Sequence, residues 1–230
     1  MKPPAWSYSS LNAFETCPRQ FYHYKVAKDV KEPANEAAAW GNRFHEAADR
    51  FFKTRELAAE MEQYRPYLEG FVEFGKGATL LSEQKLAINR DLMPCDWFAK
   101  DVWCRGIVDV LTMRESTGMA GCMAYIDDHK SGKKKPDSGQ LKLFSLLVFA
   151  HYPRVQIATT SYRWLQHIGT PEERTTEFHY RSQEHELWGD FLPRLKQFAH
   201  AFKTETFTPR PSGLCRKWCA VTECPHCGGE

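Results

Sequence analysis

The run Gly106-Ile107-Val108-Asp109-Val110, followed by Tyr125-Ile126-Asp127-Asp128-His129-Lys130-Ser131-Gly132, decides how this chain is read. An acidic residue ends the first apolar, strand-like run, and an Asp-x-Lys closes the second. Side chains alternate along a strand, so Asp128 and Lys130 share a face and Asp127 points to the other. That parity favours Asp128 over Asp127 as a ligand. Asp109 is flanked by Ile107, Val108, Val110 and Leu111, a setting that buries its charge. A buried carboxylate is too costly without a cation or hydrogen-bonding partners. Asp and Lys also occur at the ends of solvated hairpins, so the pair alone is weak. Together, two carboxylates and a lysine at the ends of neighbouring strands suit metal-assisted phosphodiester hydrolysis. The carboxylates hold hard divalent cations, and the lysine stabilises charge or helps deprotonate the attacking water.

Outward from this hairpin the chain divides by pattern. Residues 79–89, 102–113 and 122–130 carry apolar and β-branched residues bounded by turn signals and predict a three-stranded meander. Residues 114–121 read as the turn between the last two strands. A basic loop from Ser131 to Gly139 leads to a helix over 140–151, a buried strand over 155–164 and an edge strand over 174–181. Upstream, residues 7–25 read as short helical turns capped at Ser9 or Ser10 and broken at Pro18. Helices follow over 35–54 and 56–75, with Pro66 a break or boundary in the second. Leu187, Phe191, Leu195, Phe198 and Phe202 predict one long amphipathic helix over 182–204. The expected organisation is a single domain: a helical segment over 1–78, a catalytic core over 79–204 and a Cys-rich tail over 205–230.

Composition bounds the rest. The chain has 230 residues, 42% hydrophobic and 13% aromatic, enough for one well-buried core. A net charge of +2 neither demands nor excludes nucleic acid, because phosphate contacts need only local positive charge. No apolar run is long enough for a membrane span, and the first residues lack the apolar stretch of a signal peptide. The expected location is therefore the cytoplasm, that of the host if the protein is phage-encoded. In such a reducing compartment the eight cysteines are not read as disulfides. Cys95, Cys104 and Cys122 read as buried small hydrophobes.

Four further groups of residues bear on chemistry. His45 lies mid-helix with Gly41 one turn earlier, where a missing side chain allows close packing or ligand approach. A lone helical histidine is more often structural, and gains value only beside a carboxylate pair that wants a third ligand. Glu83 sits in the first strand-like run, and Gln140 opens the helix after the basic loop, where its amide can orient a water or a phosphate. Lys133, Lys134 and Lys135 read as a solvated loop or, beside a metal site, as a DNA-backbone contact. Cys215, Cys219, Cys224 and Cys227 crowd the C-terminus at metal-ligand density. They form either a local zinc site or, with Cys17 and three of the four, an iron–sulfur site joining the two chain ends.

With these residues in hand, the chain resembles the PD-(D/E)XK nuclease superfamily, and within it the RecB-like branch with iron–sulfur clusters, of AddB-type and CRISPR-associated RecB-like nucleases. Ser10-x3-Phe14-x2-Cys17-Pro18-x2-Phe21 is similar to the family's N-terminal segment with its first cluster cysteine. Gly41-x3-His45 is similar to the helical histidine motif, and Glu83 to an acidic position before the core hairpin. Gly106-x2-Asp109 and Asp128-x-Lys130-x-Gly132 resemble the catalytic motifs. Gln140-x3-Phe144 resembles a Gln-x3-Tyr motif, with Phe replacing Tyr and so losing a hydroxyl. The cysteine spacing before Cys219 is looser than the family's.

The resemblance implies an α/β restriction-endonuclease-like core: a central mixed sheet flanked by helices, with an N-terminal helical segment and a C-terminal Cys-rich tail. It implies Mg²⁺- or Mn²⁺-dependent DNA cleavage from single-stranded ends. His45, Asp109, Asp128 and the backbone carbonyl of His129 would hold metal. Lys130 would position the attacking water, with Glu83 and Gln140 in support. A 4Fe–4S cluster would sit on Cys17, Cys215, Cys219 and Cys224, with Zn²⁺ at the C-terminal cysteines as the alternative. The chain has no Gly-x4-Gly-Lys-Ser/Thr motif, so any unwinding falls to a helicase or recombinase partner.

Overall fold

A computed structural model describes residues 1–116, 121–134 and 137–228. In chain order these form helices α1 (Tyr8–Thr16), α2 (Pro18–Phe21), α3 (Glu36–Thr54) and α4 (Arg65–Phe74), then strands β1 (Thr79–Ile88), β2 (Cys104–Glu115) and β3 (Cys122–Lys130). Helix α5 (Gly139–His151), strands β4 (Val155–Trp164) and β5 (Arg174–Tyr180), and helices α6 (Glu184–Gly189) and α7 (Leu192–Thr204) follow. The chain divides into two compact units, residues 36–188 and residues 1–35 with 189–230. No helix among the described residues is long and apolar enough to cross a membrane.

Residues 36–188 hold a five-stranded mixed sheet in the order β1-β2-β3-β4-β5. The meander β1-β2-β3 is antiparallel, β3 and β4 are parallel, and β5 closes the far edge antiparallel to β4. A parallel pair needs a crossover, which α5 supplies. That helix is apolar nearly all round, as a helix buried against a sheet should be. Leu141, Leu143, Phe144, Leu146, Leu147, Val148 and Phe149 are all buried. Phe144 and Leu147 lie where a Cβ on Gly106 of β2 would fall, at 3.0 and 2.9 Å. Position 144 is thus a core packing residue.

Helices α3 and α4 build a second core with Phe44, Ala48, Phe51, Phe52, Leu68 and Phe71 around Val110 and Leu165. The two cores lie on opposite faces of the sheet. Asp128 bonds to Gln140 of α5, whereas the next residue, His129, packs its ring on Phe44 and Phe71. This is the expected alternation.

In the other unit, Ser7 caps α1, exchanging hydrogen bonds with Ser10. The cap thus falls before the serines favoured by the sequence. Trp6 and Tyr8 pack on Phe191, and Phe14 and Phe21 pack on Phe198 of α7. Arg194 of α7 forks onto Glu15 through two 2.7 Å bonds.

Four sequence expectations need correction. The region 182–204 is two helices, because Pro193 at the start of α7 has no N–H to give and its ring clashes with a preceding carbonyl. The region 56–75 is a 3₁₀ segment, Ala59–Tyr64, followed by α4, with Pro66 in the first turn of α4. Of the three central cysteines only Cys104 is buried; Cys95 and Cys122 are half-buried. The expected turn over 114–121 begins later, since β2 continues to Glu115, and residues 117–120 lie outside the described residues.

Candidate active site

The site forms where the β1-β2-β3 meander comes apart. In the β1–β2 ladder Ser82 pairs with Val110 and Gln84 with Val108, leaving Glu83 and Asp109 outside the register. Glu83 adopts φ +48, a left-handed conformation unfavourable for a residue with a side chain. A local irregularity of this kind re-aims a side chain out of the pleat. The β2–β3 ladder begins at Val110–Asp127, so Asp128, His129 and Lys130 pair only with β4. The N–H of His129 is instead satisfied by the Asp109 carboxylate, which accepts it at Oδ2 over 2.7 Å.

Helix α3 delivers His45. Its core face buries Gly41, Phe44, Ala48, Phe51 and Phe52, and Ser82 of β1 donates to Asp49 over 2.6 Å. His45 lies beside that face, with Nδ1 3.3 Å from Asp109 Oδ2 and 3.6 Å from Glu83 Oε1. The close approach of α3 to the loop after β3 depends on Gly41, where a Cβ would fall 3.0 Å from Ser131 Oγ.

The His129 imidazole completes this group, its Nδ1 3.9 Å from Asp109 Oδ2. One ligand atom from each of His45, Asp109 and His129 lies within 4.8 Å of the others. From the sequence, position 129 takes part only through its backbone carbonyl; the ring joins the group in the folded chain. Phe44, Tyr67 and Phe71 surround that ring edge-on, and both its nitrogens are buried without a hydrogen-bond partner.

Beside Asp109, whose charge acts on Asp128, the residues Asp128, Lys130 and Gln140 close a ring of polar contacts. Gln140 Nε2 donates to Asp128 Oδ1 over 2.9 Å, and Lys130 Nζ donates to Gln140 Oε1 over 2.9 Å. Lys130 Nζ also sits 2.5 Å from Asp128 Oδ2. That oxygen has no aligned hydrogen bond, so the contact is an ion pair of charge with charge. Tyr162 backs the ammonium, 5.2 Å from its ring centroid. Lys133 and Lys134 are exposed in the loop beyond β3, and Lys135 lies outside the described residues.

The electrostatics show what the site wants. Burial opposes charge on His45, but its contacts with Asp109 and Glu83 prevail and raise its pKa to about 10. Burial likewise works against ionised Asp109, yet His45 and the His129 N–H hold its carboxyl below the usual range. Asp128 is pushed up to about 7, first by burial and then by Asp109, against the pull of Lys130. Burial lowers His129 to about 4, leaving its ring neutral with a free lone pair. A proton on His45 therefore balances carboxylates that a divalent cation would balance better. Carboxylate oxygens, a neutral imidazole and orphaned buried acceptors form a donor set that fits such a cation.

A family model described as the PD-(D/E)XK nuclease superfamily matches residues 5–226. The chain belongs to that superfamily. Among solved structures it is similar to one described as a "putative exonuclease" from Eubacterium rectale, at 12% identity, covering 92% of this chain and 85% of that chain with a TM-score of 0.48. No curated protein matches. As a PD-(D/E)XK nuclease the protein is a hydrolase, and divalent metal is the usual cofactor of its superfamily.

Two features of this nuclease escaped the sequence reading. One is the His129 ring. The other is the pair Asp127–Arg163, at 2.5 Å on the α4 side of the sheet, with Glu173 3.3 Å from the same guanidinium and Phe71 stacked under it. Burial raises the Asp127 pKa despite Arg163. The period of two had already sent Asp127 to this face; its partner was invisible without the parallel β3–β4 register.

The cysteines gather in the second unit. Cys17, Cys215, Cys219, Cys224 and Cys227 line one small cavity, with His226 beside them. Backbone N–H groups of Arg210 and Ser212 point at the sulfurs of Cys17 and Cys215, each at 3.4 Å. Cys227 donates to the Cys219 carbonyl at 3.3 Å. Crowded thiols that meet backbone N–H donors fit a thiolate-bound metal centre.

Proposed function

We propose that the protein is a metal-dependent DNA exonuclease of the RecB-like iron–sulfur branch, acting on single-stranded ends in recombination, repair or phage DNA processing. The observation that carries this reading is the Asp128–Lys130–Gln140 ring set beside Asp109 and His45. It sets a lysine against a buried carboxylate, the pair that Asp-x-Lys chemistry uses.

In this reading His45, Asp109 and Asp128 hold Mg²⁺ or Mn²⁺, and position 129 contributes its carbonyl or its ring. A bound divalent cation supplies Lewis-acid polarisation of the phosphoryl oxygen and compensates charge in the transition state. Glu83 orients His45 through the 3.6 Å contact. Gln140 fixes Lys130 and Asp128 together, so the ammonium is aimed before substrate arrives. Lys130 then holds the attacking water in line. The water oxygen bonds to phosphorus as the bond from phosphorus to the 3′ oxygen breaks, its proton passes to solvent, and the 3′ oxygen leaves as a hydroxyl after taking a proton from solvent. Lys133, Lys134 and Lys135 contact the phosphate backbone. Cys17, Cys215, Cys219 and Cys224 hold a 4Fe–4S cluster that joins the two chain ends, and a helicase or recombinase supplies unwound DNA.

The test is cleavage of end-labelled linear single strands, duplexes and circles with Mg²⁺ or Mn²⁺, beside Asp128→Ala. Metal-dependent loss of linear single strands, absent in the variant, is the expected result. Cleavage of circles would instead make the protein an endonuclease. Inertness of anaerobically purified protein would make it a DNA-binding module with a structural metal centre. Metal analysis of the same protein separates iron with sulfide from zinc.

A further inference from the structure

The β1–β2 pair does not stop at the site. Beyond Glu83 and Asp109 it runs on as an arm, Gln84–Ile88 against Cys104–Val108, about 17 Å long at ~3.4 Å per residue. One face of the arm is covered, since Gly106 lies against Phe144 and Leu147 of α5. On the other face Lys85 pairs with Ile107 and Ala87 with Arg105, so Lys85 and Arg105 are diagonal neighbours. The connecting loop brings the Trp97 ring back to both of them. The Arg105 guanidinium is 5.1 Å and the Lys85 ammonium 5.9 Å from its ring centroid. Neither cation pairs with a carboxylate among the described residues, although Asp91, Asp96 and Asp101 lie in the same loop. Next along the chain, Phe98 is 85% exposed and Met93 60%.

Leu92, Met93 and Phe98 expose apolar side chains from this one loop, more than a single scattered residue. Two unpaired cations around a neighbouring indole favour a partner with regularly spaced negative charge. Flat apolar rings alternating with phosphates describe single-stranded nucleic acid, whose base faces are free to stack. The arm is continuous with Glu83 and Asp109, so whatever lies along it leads to the site.

We propose that this arm is the surface that holds single-stranded DNA for the nuclease. Phe98 and Trp97 stack unpaired bases, while Lys85 and Arg105 neutralise adjacent phosphates. The proposal rests on the DNA-cleaving reading for its purpose, but binding can be measured without cleavage.

The experiment is fluorescence anisotropy of a labelled oligodeoxythymidylate with the full chain, without added divalent metal. Phe98→Ala should weaken binding about tenfold, within the ~1–3 kcal/mol per stacked base. Trp97→Ala/Phe98→Ala should weaken it further. Lys85→Gln/Arg105→Gln should lower the slope of log affinity against log salt by about 1.4, at ~0.7 for each phosphate on a single strand. Duplex of the same length should lose much less in the aromatic variants. Phe98 is so exposed that its removal leaves the fold intact, which circular dichroism checks. Unchanged affinity in Phe98→Ala, an equal loss for duplex, or no single-strand binding by the unaltered protein would each overturn the proposal. Hydrolysis of bis(p-nitrophenyl) phosphate with Mn²⁺ by the unaltered protein reads the catalytic site separately from DNA binding. Its absence in the unaltered protein would count against the catalytic reading while anisotropy still judged the arm.

Discussion

The two chemically loaded regions of this molecule are built in opposite ways. The His45–Asp109–Asp128–Lys130 site stands on regular elements, with its side chains projecting from β1, β2, β3, α3 and α5. Its polar groups already have partners: Asp109 takes a backbone N–H, and Asp128 and Lys130 take Gln140. The cysteine cavity stands on short helical turns and irregular chain, from Cys17 between α1 and α2 to the 3₁₀ turn Gly213–Cys215 and the segment after it. Among the described residues its thiols meet two long N–H···S contacts, one S–H···O bond and the Tyr24 hydroxyl at Cys219. The first region is preorganised by the fold and should persist without metal. Under the metal-centre reading the second would depend on its metal, because few contacts otherwise offset the entropy of ordering its chain.

The sharpest break of this contrast is Cys17→Ser. Under the cluster reading it should reduce bound iron to background and melt the unit of residues 1–35 and 189–230 ahead of the rest, read by metal analysis and calorimetry. A zinc site confined to the C-terminal cysteines would keep its metal. Lys130→Ala tests the other side. It should cut cleavage by ~10²–10³-fold, the scale of one lost transition-state donor, and lower the melting temperature, because the buried Asp128 carboxylate loses its charge partner.

Asp127→Ala probes the buried charge that serves structure. Among the described residues it leaves Glu173 as the carboxylate paired with Arg163. Urea unfolding should show a loss of about 3 kcal/mol, the low end for a broken buried pair because Glu173 remains. Gly106→Ala forces a methyl against Phe144 and Leu147. A cost of ~1–3 kcal/mol is expected in the same assay, with little effect on the metal affinity of the cavity cysteines. Ser7→Ala removes the α1 cap and should cost about 1 kcal/mol, confined to the unit that holds the cysteines.

Much of the fold was legible because it repeats locally. The strands at 79, 122 and 155 and the helix after the basic loop follow from apolar period and turn residues, and each lies within two residues of its expected bounds. Pro193 shows the limit. Five apolar residues at helical spacing concealed a break that one missing N–H enforces. The serine cap moved for a similar reason, since Ser7, Ser9 and Ser10 are equivalent by type and only Ser7 has the extended backbone a cap needs.

By itself the sequence determined which residues share a strand face, which carboxylates would be buried, that a histidine stands one turn from a glycine, and that thiols crowd the C-terminus. These follow from periods of 2 and 3.6 and from the cost of burying charge. Only the tertiary structure decided that Glu83 leaves the pleat to reach His45, that the His129 ring joins Asp109, that Gln140 ties Asp128 to Lys130, and that Cys17 shares a cavity with cysteines from the other end of the chain. Each is a contact between elements or a single backbone angle. Such features are set by how whole elements pack and where a ladder ends, and they leave no periodic trace in the local order of residues.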